Sequence, residues 1–184
     1  MDQSLATWLL ILLALVTANL PFVSERHFLL LPWYIPGKER GGSVAVNWVI
    51  SVLFAAVLVG FGFIIDWLVG GLLFVGLGVA GGGVLLLSLS LVGLLAVLIF
   101  WVPGVCVVKG DAAHKPFVVR LAELLVFYAL VGVLGFAIES SLGNPFAKTW
   151  EFYAITLCLF LVLAYPGFVY RYMMRRRKPS TSPV

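Results

Sequence analysis

Apolar residues occur in four long runs along this chain, and short polar segments separate them. The runs are Leu5–Val23, Val44–Pro103, Leu121–Ile138 and Trp150–Tyr170. A helix rises ~1.5 Å per residue and a bilayer core is ~30 Å thick, so about 20 apolar residues cross it once. The first, third and fourth runs each have the length of one span. Because the runs are continuously apolar and do not alternate, they predict helices and not a β-barrel.

The second run is long enough to cross more than once. Its sixty residues contain a single charge, Asp66. Four spans would average ~15 residues, which is too short, and three would leave almost nothing for turns. Two spans leave a glycine-rich stretch between them, at residues 67–83, and each glycine weakens a helix by ~1 kcal/mol relative to alanine. We predict spans at about 44–65 and 84–103, with 67–83 forming an outer loop, a re-entrant turn or an extension of the later span.

The positions of the basic residues predict how the chain threads. Eleven of the twelve lie in three clusters: after the first run, before the third run and after the fourth. Basic residues collect on the cytoplasmic side, so the long run must cross an even number of times. The prediction is an all-α polytopic membrane protein of about five spans, N-terminus outside and C-terminus inside. It is a single integral membrane domain over residues 1–184, with further spans at about 5–23, 119–138 and 150–170 and a disordered tail at 179–184.

Composition excludes several classes of protein. Hydrophobic residues make up 62% of the chain and charged residues 11%, against ordinary values of ~45–50% and ~25%. Disorder and a soluble core are both excluded by these values. The net charge of +4 does not indicate nucleic-acid binding, because the basic residues lie at the ends of apolar runs. The predicted partner is the lipid bilayer. No basic residue precedes the first run, so an uncleaved span is favoured over a signal peptide.

The sequence offers no recognisable catalytic constellation. It has no nucleophile–base pair, P-loop or haem-attachment motif. Two cysteines are too few for a disulfide framework. His27 and His114 have no companion ligands nearby in the sequence, so no metal site is predicted. We therefore predict a protein that is not an enzyme and has no cofactor.

Three charged residues in or near the apolar runs are candidate sites. Arg120 and Glu123 are three residues apart, a spacing at which helix side chains can pair. A carboxylate in lipid is a functional-site hypothesis, for example contact with a neighbouring subunit. The alternative is a local anchor in which Arg120 reaches the membrane surface and neutralises Glu123. Asp66 is predicted to lie at the membrane interface, because at the bilayer centre it would cost about 2.5–3.5 kcal/mol.

Two glycines give the third run a side of small residues. Gly132 lies nine residues beyond Glu123, half a turn away in azimuth, and Gly135 follows it. Small residues let helices approach closely in lipid. The two glycines are therefore candidate packing sites, either within this chain or for a partner.

Proline and asparagine mark irregular points in the terminal runs. Pro166 interrupts the fourth run, and a proline inside a helix removes a hydrogen bond and predicts a kink. Asn19 lies near the end of the first run, and we predict that it forms either a helix-end cap or a hydrogen bond between helices.

Several strings carry a resemblance to a known family. They are Met1-Asp-Gln-Ser4, Ala18-Asn-Leu-Pro-Phe22, Arg120-Leu-Ala-Glu-Leu-Leu125, Trp150-Glu-Phe-Tyr-Ala154 and Pro166-Gly-Phe-Val-Tyr-Arg-Tyr172. Together they resemble a family of small inner-membrane proteins of unknown function, mainly from beta-proteobacteria, whose genes are commonly found beside those of respiratory complex I. The resemblance implies a multi-pass protein of the bacterial inner membrane. Members of that family are shorter, so residues 41–114 look like an inserted hairpin of two spans.

These observations favour a non-enzymatic accessory or assembly factor of a membrane complex. The resemblance suggests respiratory complex I subunits as partners. Thin helices with few buried polar groups provide packing surface. The alternative is a small oligomeric transporter or channel, which needs a polar path through the membrane. The polar residues available for such a path are sparse and scattered: Asn47, Asp66, Ser88, Ser90 and Glu123.

Overall fold

The computed structural model describes residues 3–24, 26–30, 44–70, 81–106, 115–141 and 148–174. Within these ranges the chain forms helices without any strand, which confirms the all-α prediction. Two π-helical turns, Asp66–Gly70 and Tyr170–Met174, extend neighbouring helices. The α-helices are α1 (Gln3–Val23), α2 (Val44–Ile65), α3 (Gly81–Cys106), α4 (Phe117–Ser141), α5 (Trp150–Leu163) and α6 (Tyr165–Val169).

Four helical stretches are long and apolar enough to cross a membrane. They are Ala6–Val23, Ala45–Val69, Phe117–Ser140 and Trp150–Met174, and α3 adds a shorter apolar stretch, Leu87–Trp101. Large apolar side chains cover their outer faces; Leu53, Phe63 and Val162, for example, are each about two-thirds or more exposed. An apolar surface of this extent suits hydrocarbon and would drive association in water. The fold is that of a polytopic helical membrane protein. The orientation and a fifth span formed by α3 stay predictions.

The glycine-rich stretch is partly helical. The π-helical turn Asp66–Gly70 continues α2, and α3 begins at Gly81. Each end of the stretch therefore extends the adjoining helix. Residues 71–80 lie outside the described residues, and so does the predicted tail at 179–184.

Helix α4 lies at the centre of the packing. A third of its membrane-spanning stretch is buried inside the protein, against 17–22% for the other three long stretches. It contributes to each of the three apolar clusters in the described part of the chain, through Leu134, Leu124 and Val126. In lipid no hydrophobic force drives helices together, so this central helix is held by close packing and polar contacts.

The last long helix is broken near its proline, as predicted. α5 ends at Leu163, Ala164 forms a turn, and α6 begins at Tyr165 with Pro166 in its first turn. Proline cannot donate a backbone hydrogen bond and crowds the preceding turn. The chain nevertheless continues as helix, because the side chain of Asn19 on α1 bonds to the two backbone groups that the break leaves unpaired.

Candidate functional site

A buried ion pair joins the start of α4 to its second turn. Lys115, two residues before α4, contacts the Glu123 carboxylate through its ammonium group, and their side chains are 1% and 0% exposed. A charge taken out of water is costly unless it is paired and hydrogen-bonded. The pair therefore needs further polar partners, and the segment after α1 provides them.

Residues 26–30 fold over the ion pair and supply backbone partners to both charges. The amide of Phe28 donates to Glu123 Oε1 at 2.8 Å. Lys115 Nζ donates to the carbonyl oxygen of Arg26 at 3.0 Å and lies 5.2 Å from the centre of the Phe28 ring. Both oxygens of Glu123 thus accept hydrogen bonds. The ion pair ties the chain that leaves α1 to α4, and we call this arrangement the Lys115–Glu123 latch.

Arg120 caps the end of α1. Its Nη1 donates to the carbonyl oxygens of Pro21 at 3.0 Å and Phe22 at 3.1 Å. The last four carbonyls of a helix lack partners within the helix, and a positive charge is favourable there. Ser24 N satisfies the carbonyl of Leu20 at 3.0 Å. Arg120 therefore connects α4 to the C-terminal end of α1, within one turn of the latch.

The structure corrects the sequence-based interpretation of Arg120 and Glu123. The local-anchor alternative places Arg120 at the membrane surface, whereas in the structure Arg120 is only 1% exposed and caps α1. Lys115 neutralises Glu123 instead. The spacing rule compares residues on one helix, whereas Lys115 precedes the helix and reaches its partner along the helix surface. The signal available in the sequence was a lysine just before a helix that carries an acid.

His27 belongs to the same cluster and is uncharged at neutral pH. It is 6% exposed. Burial, with the positive charges of Lys115 and Arg120 beside it, lowers the pKa of His27 from 6.5 to about 4. Burial also lowers the pKa of Lys115, which Glu123 opposes. Among the described residues, no group of three or more histidine, cysteine or carboxylate side chains could hold a metal ion. The contacts of this cluster hold residues 26–30 against Lys115 and α4.

A second polar contact lies at the break between α5 and α6. Asn19 of α1 donates from Nδ2 to the carbonyl of Leu163 at 2.9 Å, and its Oδ1 accepts from the amide of Gly167 at 2.7 Å. In an unbroken helix these two backbone groups would bond to each other. The Asn19 side chain is thus inserted into the helix, and the prediction of a hydrogen bond between helices is confirmed. Sequence reasoning proposed no partner for it.

Gly132 and Gly135 differ in their surroundings. A Cβ atom on Gly135 would lie 3.3 Å from Leu10 Cδ2, so this glycine lets α1 approach α4. A Cβ atom on Gly132 would meet nothing within 4 Å. Both glycines line a groove of about 570 Å³ between α1, α4 and α5, with Ala14 and Ala129 in the same wall. We call it the small-residue groove; the acid at its end, Glu139, is paired with Lys148 at 2.6 Å.

A second apolar cavity lies on another side of α1. It has a volume of about 570 Å³ and is formed by α1, α2, α3 and α4. Phe61, Leu89 and Leu134 lie in its wall, and Arg26 and Trp101 also line it. We call it the Arg26 cleft.

Asp66 does not line either cavity, although its neighbour Ile65 lines the Arg26 cleft. Its side chain is exposed, and it begins the π-helical turn that extends α2. Neither Asp66 nor Glu123 lines the small-residue groove or the Arg26 cleft. The structure brings Arg120 and Glu123 into one cluster and both glycines into one groove. The interfacial position of Asp66 stays a prediction.

Comparison with known proteins identifies a family. The chain matches the family described as "Protein of unknown function (DUF2818)" over residues 6–73 and 83–175. It belongs to that family. The matched ranges include much of the segment 41–114, whose origin as an insert stays a prediction. No curated protein and no solved structure matches the chain.

Proposed function

We propose that this member of a family of unknown function is a non-enzymatic accessory or assembly factor of a larger complex in the bacterial inner membrane. The resemblance described above suggests respiratory complex I as that complex. In this proposal the protein binds a membrane helix of the complex and contributes packing surface.

The small-residue groove is the observation that carries this proposal. Its open side includes Gly132, over which nothing lies within 4 Å of a Cβ position. At Gly132 the backbone of α4 is therefore accessible to a close neighbour. Because lipid supplies no hydrophobic force between helices, such small-residue surfaces are where membrane helices associate.

The buried charges support the same function by fixing the walls of the groove. The latch and Arg120 hold α1 against α4 at one end of the bundle. Asn19 holds α1 against the α5–α6 break. All three helices that form the groove are thus joined by polar contacts. A pre-organised surface loses less conformational entropy when it binds a partner.

Purification from native membranes in mild detergent tests the proposal. We expect complex I subunits to co-migrate with the wild-type protein. Gly132→Leu adds a large side chain to the groove at a position where a Cβ meets nothing within 4 Å, and it should abolish co-migration. Gly62→Leu is the matched control: it lies on α2, and a Cβ there also meets nothing within 4 Å. A lone protein with no co-migrating partner, or equal behaviour of the two variants, would contradict the proposal.

The alternative function is a small oligomeric transporter or channel. The observation in its favour is that Glu123 is a carboxylate buried within a membrane-spanning stretch, and such residues often mark ion or proton pathways. Proteoliposome flux that is lost in Glu123→Gln or Asp66→Asn would favour transport. Flux equal to that of empty liposomes would favour the accessory function.

A further inference from the structure

The Arg26 cleft has the dimensions of one leaflet of a bilayer. Along α3 its wall extends from Leu89 to Trp101, which is about 18 Å at a helical rise of ~1.5 Å per residue. Half of a ~30 Å hydrocarbon core is ~15 Å. The volume of about 570 Å³ falls within the ~300–1,000 Å³ of ordinary ligand sites.

The interior of the cleft has hydrocarbon character. Apart from Arg26, the polar side chains in its wall include Thr17 and Ser90. Thr17 donates to the carbonyl of Leu13 at 2.8 Å, and Ser90 donates to that of Leu87 at 2.7 Å. Both hydroxyl hydrogens are used within their own helices. The wall of the cleft is therefore predominantly apolar and suits a hydrocarbon chain.

A positive charge is fixed at one end of the cleft. The Arg26 guanidinium lies 5.2 Å from the centre of the Trp101 ring. The Arg26 amide donates to Ser24 Oγ at 3.2 Å, and its carbonyl accepts from Lys115. The latch therefore positions this arginine, while its side chain remains exposed. A guanidinium group binds phosphate oxygens in pairs, and tryptophan favours the headgroup level of a membrane.

From this combination we infer that the Arg26 cleft binds an anionic phospholipid of the bilayer. One acyl chain lies between α1, α3 and α4, and the phosphate contacts Arg26 beside Trp101. The small-residue groove fits this ligand less well, because the cation beside its end, Lys148, is already paired with the acid there, Glu139. The inference is independent of the proposed function, since it concerns a different cavity.

Native mass spectrometry of the full chain, released from detergent with added lipid, tests the inference. The probes are dioleoyl phosphatidylglycerol and dioleoyl phosphatidylcholine. We expect the wild-type protein to retain the anionic lipid preferentially. Arg26→Gln should lower that retention about fivefold, the ratio for one basic residue at an anionic lipid surface. Arg171→Gln removes the same charge outside the cleft and should leave retention unchanged.

Two leucine variants of α3 test the acyl-chain contact. A Cβ on Gly93, in the wall of the cleft, meets nothing within 4 Å, so Gly93→Leu should block the cleft and lose the lipid. Gly83→Leu adds the same side chain where a Cβ is equally unhindered and should retain it. Val97→Phe provides a second blocking variant if Gly93→Leu does not fold.

Four other outcomes of these experiments would overturn the inference. Equal retention of the two lipids would show that the headgroup charge does not contribute to binding. Equal losses of lipid in Arg26→Gln and Arg171→Gln would show that Arg26 has no specific role. Competition by inorganic phosphate, with full retention in the blocking variants, would assign the site to a free anion. A wild-type dimer that becomes monomeric in Gly93→Leu would assign the cleft to a second copy of the chain.

Discussion

Asn19 and Gly167, 148 residues apart in sequence, form a hydrogen bond of 2.7 Å that bridges α1 to the broken fourth apolar run. The carboxamide of Asn19 also binds the carbonyl of Leu163. It replaces the backbone hydrogen bond that the proline-containing turn does not form. In hydrocarbon, backbone groups without partners cost several kcal/mol each. One side chain therefore makes the break in the helix tolerable and joins two helices.

Removing the carboxamide should destabilise the protein. Asn19→Leu keeps the number and branching of the side-chain heavy atoms but leaves Gly167 N and Leu163 O without a side-chain partner. We expect a loss of about 2–6 kcal/mol, from ~1–3 kcal/mol for each of the two unsatisfied buried polar groups. Thermal unfolding in detergent, followed by circular dichroism, measures it. Thr17→Val is the control on the same helix, because Thr17 Oγ1 donates to carbonyls of α1 itself. Equal stability of the two variants would contradict the role assigned to Asn19.

Enlarging Gly167 should have a similar effect by a steric route. A Cβ there would lie 2.8 Å from Asn19 Oδ1, 3.1 Å from Asn19 O and 3.2 Å from Phe22 Cβ. Gly167→Ala should therefore separate α1 from α6 at a cost of about 1–3 kcal/mol. Gly62→Ala, where a Cβ meets nothing within 4 Å, should be neutral or stabilising by up to ~1 kcal/mol. The same unfolding assay compares them, and unchanged stability of Gly167→Ala would show that the close approach is not required.

Substituting one residue of the Lys115–Glu123 latch should lower the free energy of unfolding more than substituting both. Lys115→Met leaves the Glu123 carboxylate buried without its cation, and loss of one partner of a buried pair costs about 3–5 kcal/mol. The double variant Lys115→Met with Glu123→Leu removes both charges and should recover part of that loss. A double-mutant cycle on unfolding free energies isolates the coupling. If the two single losses simply add in the double variant, the residues do not act as a pair.

His27 should make the protein less stable in acid. Its pKa is lowered from 6.5 to about 4 in the folded state, so between these values the unfolded chain binds more protons than the folded one. Stability therefore falls as pH drops from 6.5 towards 4, by at most about 3 kcal/mol. His27→Gln should reduce this dependence, and unfolding measured at pH 7 and pH 4.5 gives the difference. Identical pH dependence of the variant and the wild type would mean that His27 is not buried as a neutral ring.

The sequence by itself determined the helical class of the protein and the interruption of its last long helix near Pro166. A helix that spans a bilayer needs a continuous apolar segment of sufficient length, and that length is visible in consecutive residues of the sequence. Helices accordingly begin at Val44 and Trp150, the first residues of two apolar runs. The interruption near Pro166 is local as well, because proline lacks the backbone donor wherever its helix lies.

Only the tertiary structure decided which polar groups meet. Glu123 has Arg120 within one turn, yet its cation is Lys115, because the segment after α1 encloses that pair while Arg120 caps α1. The contact between Asn19 and Gly167 likewise depends on α1 crossing the α5–α6 break. Such partners belong to different helices, and their distances follow from how the helices pack. Periodicity along one helix carries no information about that arrangement.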